Sequence, residues 1–183
     1  MSDLQKYFGF QKLKNTCSIF LFVLFFTDSL FAVNPNNPVG DNSIFGNPVN
    51  AWEVDTGTTR EIHASLNGGP SIVLSDPTMY SFGPKIITSL QQVTVAWISI
   101  NKTTGQRFLY AAFYAFGWSF CGQISANTED ILPDFQLNEQ PNFPAATIVY
   151  RAIDLNTNEV VLRSRGSVSF DCAWPVTNIY PFP

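Results

Sequence analysis

Apolar residues in this chain fall in short runs of about four to eight, separated by clusters of Gly, Asn, Asp, Thr and Pro. Almost nothing after residue 46 carries the 3.6-residue spacing of an amphipathic helix. The middle of the chain shows the pattern best. Strands are predicted over Lys85–Thr88, opened by Pro84, then Val93–Ile100 (VTVAWISI), Gln106–Tyr114 (QRFLYAAFY) and Trp118–Ser125 (WSFCGQIS). The second and third are joined through Asn101-Lys102-Thr103-Thr104-Gly105, where Gly105 is free to take a positive φ.

The same order of landmarks recurs on either side. Ala51-Trp52, Ala96-Trp97 and Val149-Tyr150 each end an apolar segment. Each is followed by a polar turn, with Gly57, Gly105 or Asn158 in it, and then by a run ending in Ala64-Ser65, Ala111-Ala112 or Arg163-Ser164. Each unit closes on Ser75, Ser125 or Thr177. Pro84 and Pro133 stand where the second and third units begin, and proline at the first residue of a strand costs no ladder hydrogen bond. A period of about fifty residues made of short strands predicts blade-like β modules. The fold expected is all-β: three four-stranded antiparallel repeats, a partial β-propeller, spanning approximately 47–80, 81–130 and 131–178 within a domain at 47–183.

Two segments precede that domain. Lys6, Lys12 and Lys14 lead into CSIFLFVLFF (residues 17–26), which ends at Thr27-Asp28-Ser29, with Phe31-Ala32 offering a cleavage site. This is the layout of a secretory signal peptide over 1–32, since a spanning helix needs roughly twenty apolar residues. Residues 33–46 (VNPNNPVGDNSIFG within them) read as an Asn/Pro-rich leader, with Ser43–Phe45 offered as one short strand. The expected location is outside the cytoplasm (periplasm, cell surface or extracellular), with no membrane span in the mature chain.

Removing residues 1–32 takes away three lysines, Asp3 and Asp28, and leaves seven basic and twelve acidic residues. With no basic run, an electrostatic surface for nucleic acid is not expected. Cys121 and Cys172 remain. An even number of cysteines in an exported chain suits a disulfide. Their places on the closing strands of neighbouring repeats, which splay apart in a blade array, argue instead for free thiols. Both alternatives stand on the sequence.

No catalytic, metal or cofactor site is legible. His63 is the single histidine, and no Gly-x-Ser-x-Gly elbow and no cysteine–histidine zinc pattern occur. Asp76, Glu129, Asp130 and Asp134 lack the regular spacing of a calcium loop. Trp52, Trp97 and Tyr150 read as packing between repeats. Trp118 and Trp174, next to loops on or near closing strands, are the aromatic candidates for a binding surface. Arg60 and Arg107 share one repeat position, with Glu159 as the third counterpart, and a guanidinium fork suits a carboxylate.

The segment VAWISINKTTGQRFLYAAFYAFGWSFCGQIS, Val95–Ser125, resembles the sialidase-like β-propeller repeats of many exported bacterial proteins. The resemblance extends over Asn47–Asn178. It implies a propeller, but the aspartate box Ser-x-Asp-x-Gly-x-x-Trp is missing from all three units. So is a set of three arginines with a tyrosine–glutamate pair, and no sialidase activity is implied. Propellers have four to eight blades, so three repeats leave a sheet face open at each end. The function expected is a non-enzymatic β-repeat module that binds a protein partner or a glycan. Its expected partners include a second copy or another β-repeat protein that completes a ring. The alternatives are a degenerate glycan hydrolase and a propeller fragment without independent function.

Overall fold

The computed structural model describes residues 36–42, 48–89, 92–139, 145–167 and 172–181. The stretch read as a signal peptide lies outside them, as does Ser43–Phe45. The chain divides into Met1–Asn34, outside the described residues, and Pro35–Pro183, which carries the structure below.

Among the described residues, twelve strands form three four-stranded antiparallel sheets, each a simple meander in chain order. The first holds β1 (Asn36–Asn42), β2 (Pro48–Asp55), β3 (Arg60–Leu66) and β4 (Ile72–Val73). The second holds β5 (Met79–Ser89), β6 (Gln92–Asn101), β7 (Arg107–Tyr114) and β8 (Trp118–Gln123). The third holds β9 (Glu129–Glu139), β10 (Ala146–Asp154), β11 (Glu159–Gly166) and β12 (Val176–Pro181). No helix among the described residues is long and apolar enough to cross a membrane.

The sheets stack face to face. Ala51, Ile62, Ala64 and Leu74 of the first pack on Val95, Trp97 and Ala112 of the second. The opposite face of the second sheet, with Ala96, Ile98, Leu109 and Ala111, packs on Ile131, Phe135, Ile148, Tyr150 and Ala152 of the third. β6 is therefore covered on both sides, and Gln92–Ser99 are all buried. That explains why VTVAWISI is apolar with small polar residues where a half-exposed strand would alternate. The small polar groups are satisfied: Ser99 Oγ is hydrogen-bonded to Ser81 Oγ at 2.8 Å and accepts the Trp97 indole N–H at 3.1 Å.

The three central hairpins turn alike. The Asp55 carboxylate accepts the Gly57 N–H, Asn101 Oδ1 accepts the N–H of Thr103, and the Asp154 carboxylate accepts that of Asn156. Gly57, Gly105 and Asn158 all sit in the left-handed region, at φ 81°, 74° and 58°. Asparagine tolerates that region because its short amide bonds locally, so the third hairpin manages without glycine.

Three readings of the sequence change, and one that it left open is decided. The stretch taken for a leader contributes β1, which pairs with β2 from Asn42↔Pro48 to Asn36↔Glu53; its Asn, Pro and Gly residues carry no apolar alternation, which hid it. Pro84 and Pro133 do not open strands. They lie inside β5 and β9 at irregularities of the ladder, between Phe82 and Lys85 and opposite Tyr150/Ala152, where a missing N–H costs nothing. The third repeat is offset by one residue. Ala51 pairs with Ala64 and Ala96 with Ala111, but Val149 pairs with Ser164, not Arg163. A one-residue slip reverses the face, so the counterpart of Arg60 and Arg107 is Val160 in place of Glu159. Finally, Cys121 and Cys172 form a disulfide with Cα atoms 4.8 Å apart. The expected splay fails because Cys121 occupies a ladder irregularity beside Gly122 (φ 70°), while Cys172 lies in the segment before β12.

Candidate functional site

The densest exposed aromatic surface among the described residues is the hairpin of β7 and β8. Tyr114, Phe116, Trp118 and Phe120 occur at every second position across a turn containing Gly117. Tyr114 pairs with Trp118 and Ala112 with Phe120. Tyr114 and Trp118 rings meet edge-on at 5.5 Å and 64°. Trp118 is half-buried and leans on the apolar cluster between the first two sheets. Phe120 is 56% exposed and Phe116 90% exposed.

The exposure has a structural cause. Ala112, on the face shared with Phe120, packs against the first sheet, yet that sheet's outer strand β4 has two residues while β8 has six. β8 therefore extends beyond its cover. Around the turn, Phe113, Ala115, Phe116, Gly117, Trp118 and Ser119 line an open pocket of about 230 Å³. Segment 114–120 contains no charged side chain, so its own lining offers ring faces and the Ser119 hydroxyl.

The other candidates lie elsewhere. Trp174, read as a partly exposed binding aromatic, is buried at 7% between the second and third sheets. Its carbonyl accepts a hydrogen bond from Arg165 at 3.1 Å. Arg60 and Arg107 do occupy one repeat position, and both reach forward to the next sheet. The Arg60 guanidinium lies 5.2 Å from the centre of the Tyr80 ring and donates to Glu53 at 3.2 Å. Arg107 makes two side-chain bonds to Asp130, 3.0 and 2.7 Å, and its backbone N–H donates to the same carboxylate at 2.9 Å. Tyr80 and Asp130 are the second residues of β5 and β9. One position thus ties consecutive sheets by two chemistries, a cation over a ring and a fork on a carboxylate. The Arg107 guanidinium holds the Asp130 carboxyl below the ordinary carboxylate range.

The acids singled out in the sequence go to separate places. Asp76 accepts from the N–H and hydroxyl of Thr78, which holds its pKa low. Asp134 lies 3.8 Å from Lys85. Glu129 is buried and accepts from Arg163 Nε and the Tyr150 hydroxyl, both at 2.9 Å. Arg165 donates to that hydroxyl at 2.7 Å, and Arg163 also reaches Asp154 at 3.2 Å. Burial pushes the Tyr150 phenol well above its ordinary pKa. Sequence reading missed this network because its members are scattered from 129 to 165. It also missed Tyr114, Phe116 and Phe120, although their alternation was a visible signal.

No family model matches the chain, and no curated protein sequence matches it. Among solved structures, a Penicillium chrysogenum α-L-arabinanase complexed with arabinobiose is similar, with a TM-score of 0.50 at 11% identity. The match covers 78% of this chain and 49% of the arabinanase chain, so this chain spans about half the length of that protein. The likeness concerns the fold: an all-β, β-propeller-like arrangement of antiparallel sheets.

Proposed function

We propose that this chain is an exported, non-enzymatic β-repeat module that binds a neutral glycan on the Tyr114–Phe120 hairpin. The observation that carries the reading is the cluster of exposed aromatic rings beside an uncharged pocket of about 230 Å³. Aromatic faces and a few placed polar groups suit the apolar face of a sugar ring. Of the four residues read from the sequence, Trp118 has this role; Arg60, Arg107 and Trp174 hold the sheets together. The Cys121–Cys172 bridge supports the exported part of the reading, because disulfides persist in oxidising compartments.

Titration with neutral oligosaccharides, followed by calorimetry, tests the proposal; arabinobiose, held by the similar structure, is a first probe. Binding should weaken at least tenfold in Phe116→Ala and Trp118→Ala. Retained affinity in both variants, or no binding across the panel by folded protein, sinks it. The second reading is a protein partner, favoured by the same exposed apolar surface.

A further inference from the structure

The chain makes one kind of interface twice, and among the described residues each half of it is presented once more without a sheet against it. Trp52, Trp97 and Tyr150 hold equivalent positions by register and lie on the same face of their sheets. Trp97 of the second sheet packs on the first, and Tyr150 of the third packs on the second; each is 1% exposed. Trp52 holds the matching position in the first sheet, in front of which the described residues place no sheet, and is half-buried. Its row repeats the chemistry of the covered one. Trp52 pairs across strands with His63, ring centres 6.2 Å apart, as Trp97 pairs with Tyr110 at 6.0 Å. His63 pairs in turn with Val73, an exposed apolar residue.

The other half lies on the third sheet. Ile62 and Leu109 face the following sheet and are fully buried. Their counterpart by register is Leu162, which has no following sheet among the described residues and is half-buried, beside exposed Val160. Ala51 and Ala96 are fully buried, and their counterpart Val149 is half-buried. The outward face of the third sheet therefore keeps part of the pattern that covers Trp97 and Tyr150 elsewhere: Val149 and Leu162 hold the places of buried apolar residues, with Ser164 in place of the alanine and Val160 in place of the tying arginine. Charge agrees with the match: Arg151 is exposed on the third sheet's outward face, and Glu61 lies beside His63 on the first sheet's, at 3.1 Å.

We infer that two copies of this chain associate head to tail. The outward face of the third sheet of each copy covers the Trp52 face of the other, closing a ring of six sheets. The occupant is a second copy because the missing surface on each side is one that this chain already presents, in the register it already uses twice. A contact between two unlike faces closes into a pair only when the rotation per sheet brings the last face to the first. Six sheets close only if each is turned about 60° from the one before it. The inference rests on the fold and is independent of the aromatic hairpin.

Light scattering on protein expressed from the full chain reads the mass directly. A mass twice that of one chain is expected, falling about twofold to the single-chain value in Trp52→Glu and in Val149→Arg. Mixing the two variants is the decisive arm. Each retains the face the other has lost, so the mixture should recover a two-chain species through one intact contact. A wild-type monomer overturns the proposal, whether Met1–Asn34, further chain or solvent covers the faces. An open-ended series of larger species overturns the closed pair, and a dimer unmoved by either variant overturns the faces named. If a variant fails to fold, amide exchange on the wild type decides. Protection should rise with concentration in β3 and β10–β11 together, and a rise elsewhere counts against the inference.

Discussion

Ser125 Oγ accepts the backbone N–H of Leu109 at 3.0 Å, and Ser75 Oγ accepts that of Ile62 at 2.9 Å. The two serines are the landmarks that close the first and second repeats, and they do the same work. Each sits where the outer strand leaves the sheet, and each satisfies a buried donor on the strand inside it. The neighbouring backbone repeats as well, with Leu74 N–H on Ile62 C=O and Ile124 N–H on Leu109 C=O.

Ser125→Ala should therefore destabilise the protein by about 1–3 kcal/mol, the cost of an orphaned buried donor. Ser75→Ala should cost about as much. The two sites serve different sheets, so the double variant should show nearly the sum. Urea denaturation measures all three, and changes below ~0.5 kcal/mol would remove the serines from the architecture.

Asp130 sets an acid limit. Its carboxyl is held below the ordinary range by Arg107, so the folded state binds its proton less readily than the unfolded chain. Its contribution to stability is complete above the unfolded carboxylate pKa of ~3.9 and is lost as pH falls through the lower folded value. Asp130→Asn should be less stable than wild type at pH 6, and the difference should shrink below pH ~4. Denaturation midpoints at both pH values check this; a gap that stays constant disproves the linkage.

Reduction should loosen the contact between the second and third sheets. The Cys121–Cys172 bridge spans 51 residues, and releasing a loop of that size from the unfolded chain costs roughly 2–4 kcal/mol. Thermal melts with and without reductant, beside the Cys121→Ser/Cys172→Ser variant, give the value. Identical melting temperatures would mean that the bridge adds nothing.

Gly105 and Asn158 make opposite predictions. Gly105→Ala puts a Cβ at φ 74°, where it meets no atom within 4 Å, so strain alone should cost about 1–2 kcal/mol. Asn158→Gly at φ 58° should stay within ~0.5 kcal/mol of wild type. Calorimetric melts of the two variants should separate by several degrees; coincident melts would show that turn strain is unimportant here.

The central hairpins were legible because their cause is local. Asp-x-Gly, Asn-x-x-x-Gly and Asn-x-Asn turns carry their own instructions, and VTVAWISI, apolar but for Thr94 and Ser99, read as a strand. β1 was not legible, because an edge strand of Asn, Pro and Gly has no apolar signature and is defined by its partner β2. The third repeat's one-residue offset was hidden for a similar reason: hairpin length, not residue type, sets which of Arg163 and Ser164 faces the neighbouring sheet. Of the candidate site, Trp118 was legible as an aromatic near a loop. The exposure of Phe116 and Phe120 was not, since it depends on how far β4 extends.

The sequence by itself determined the units: short strands, their turns, and an order of landmarks three times over, because strand period and turn chemistry act between neighbours in the chain. Tertiary structure decided what those landmarks do. Arg60 and Arg107 became ties between sheets, Trp174 became core, and Cys121 met Cys172, because each outcome depends on which face meets the next sheet. Trp52 shows the division most plainly. Its place in the repeat is written in the sequence, but its half-exposed ring comes from being the one copy with no sheet in front of it among the described residues.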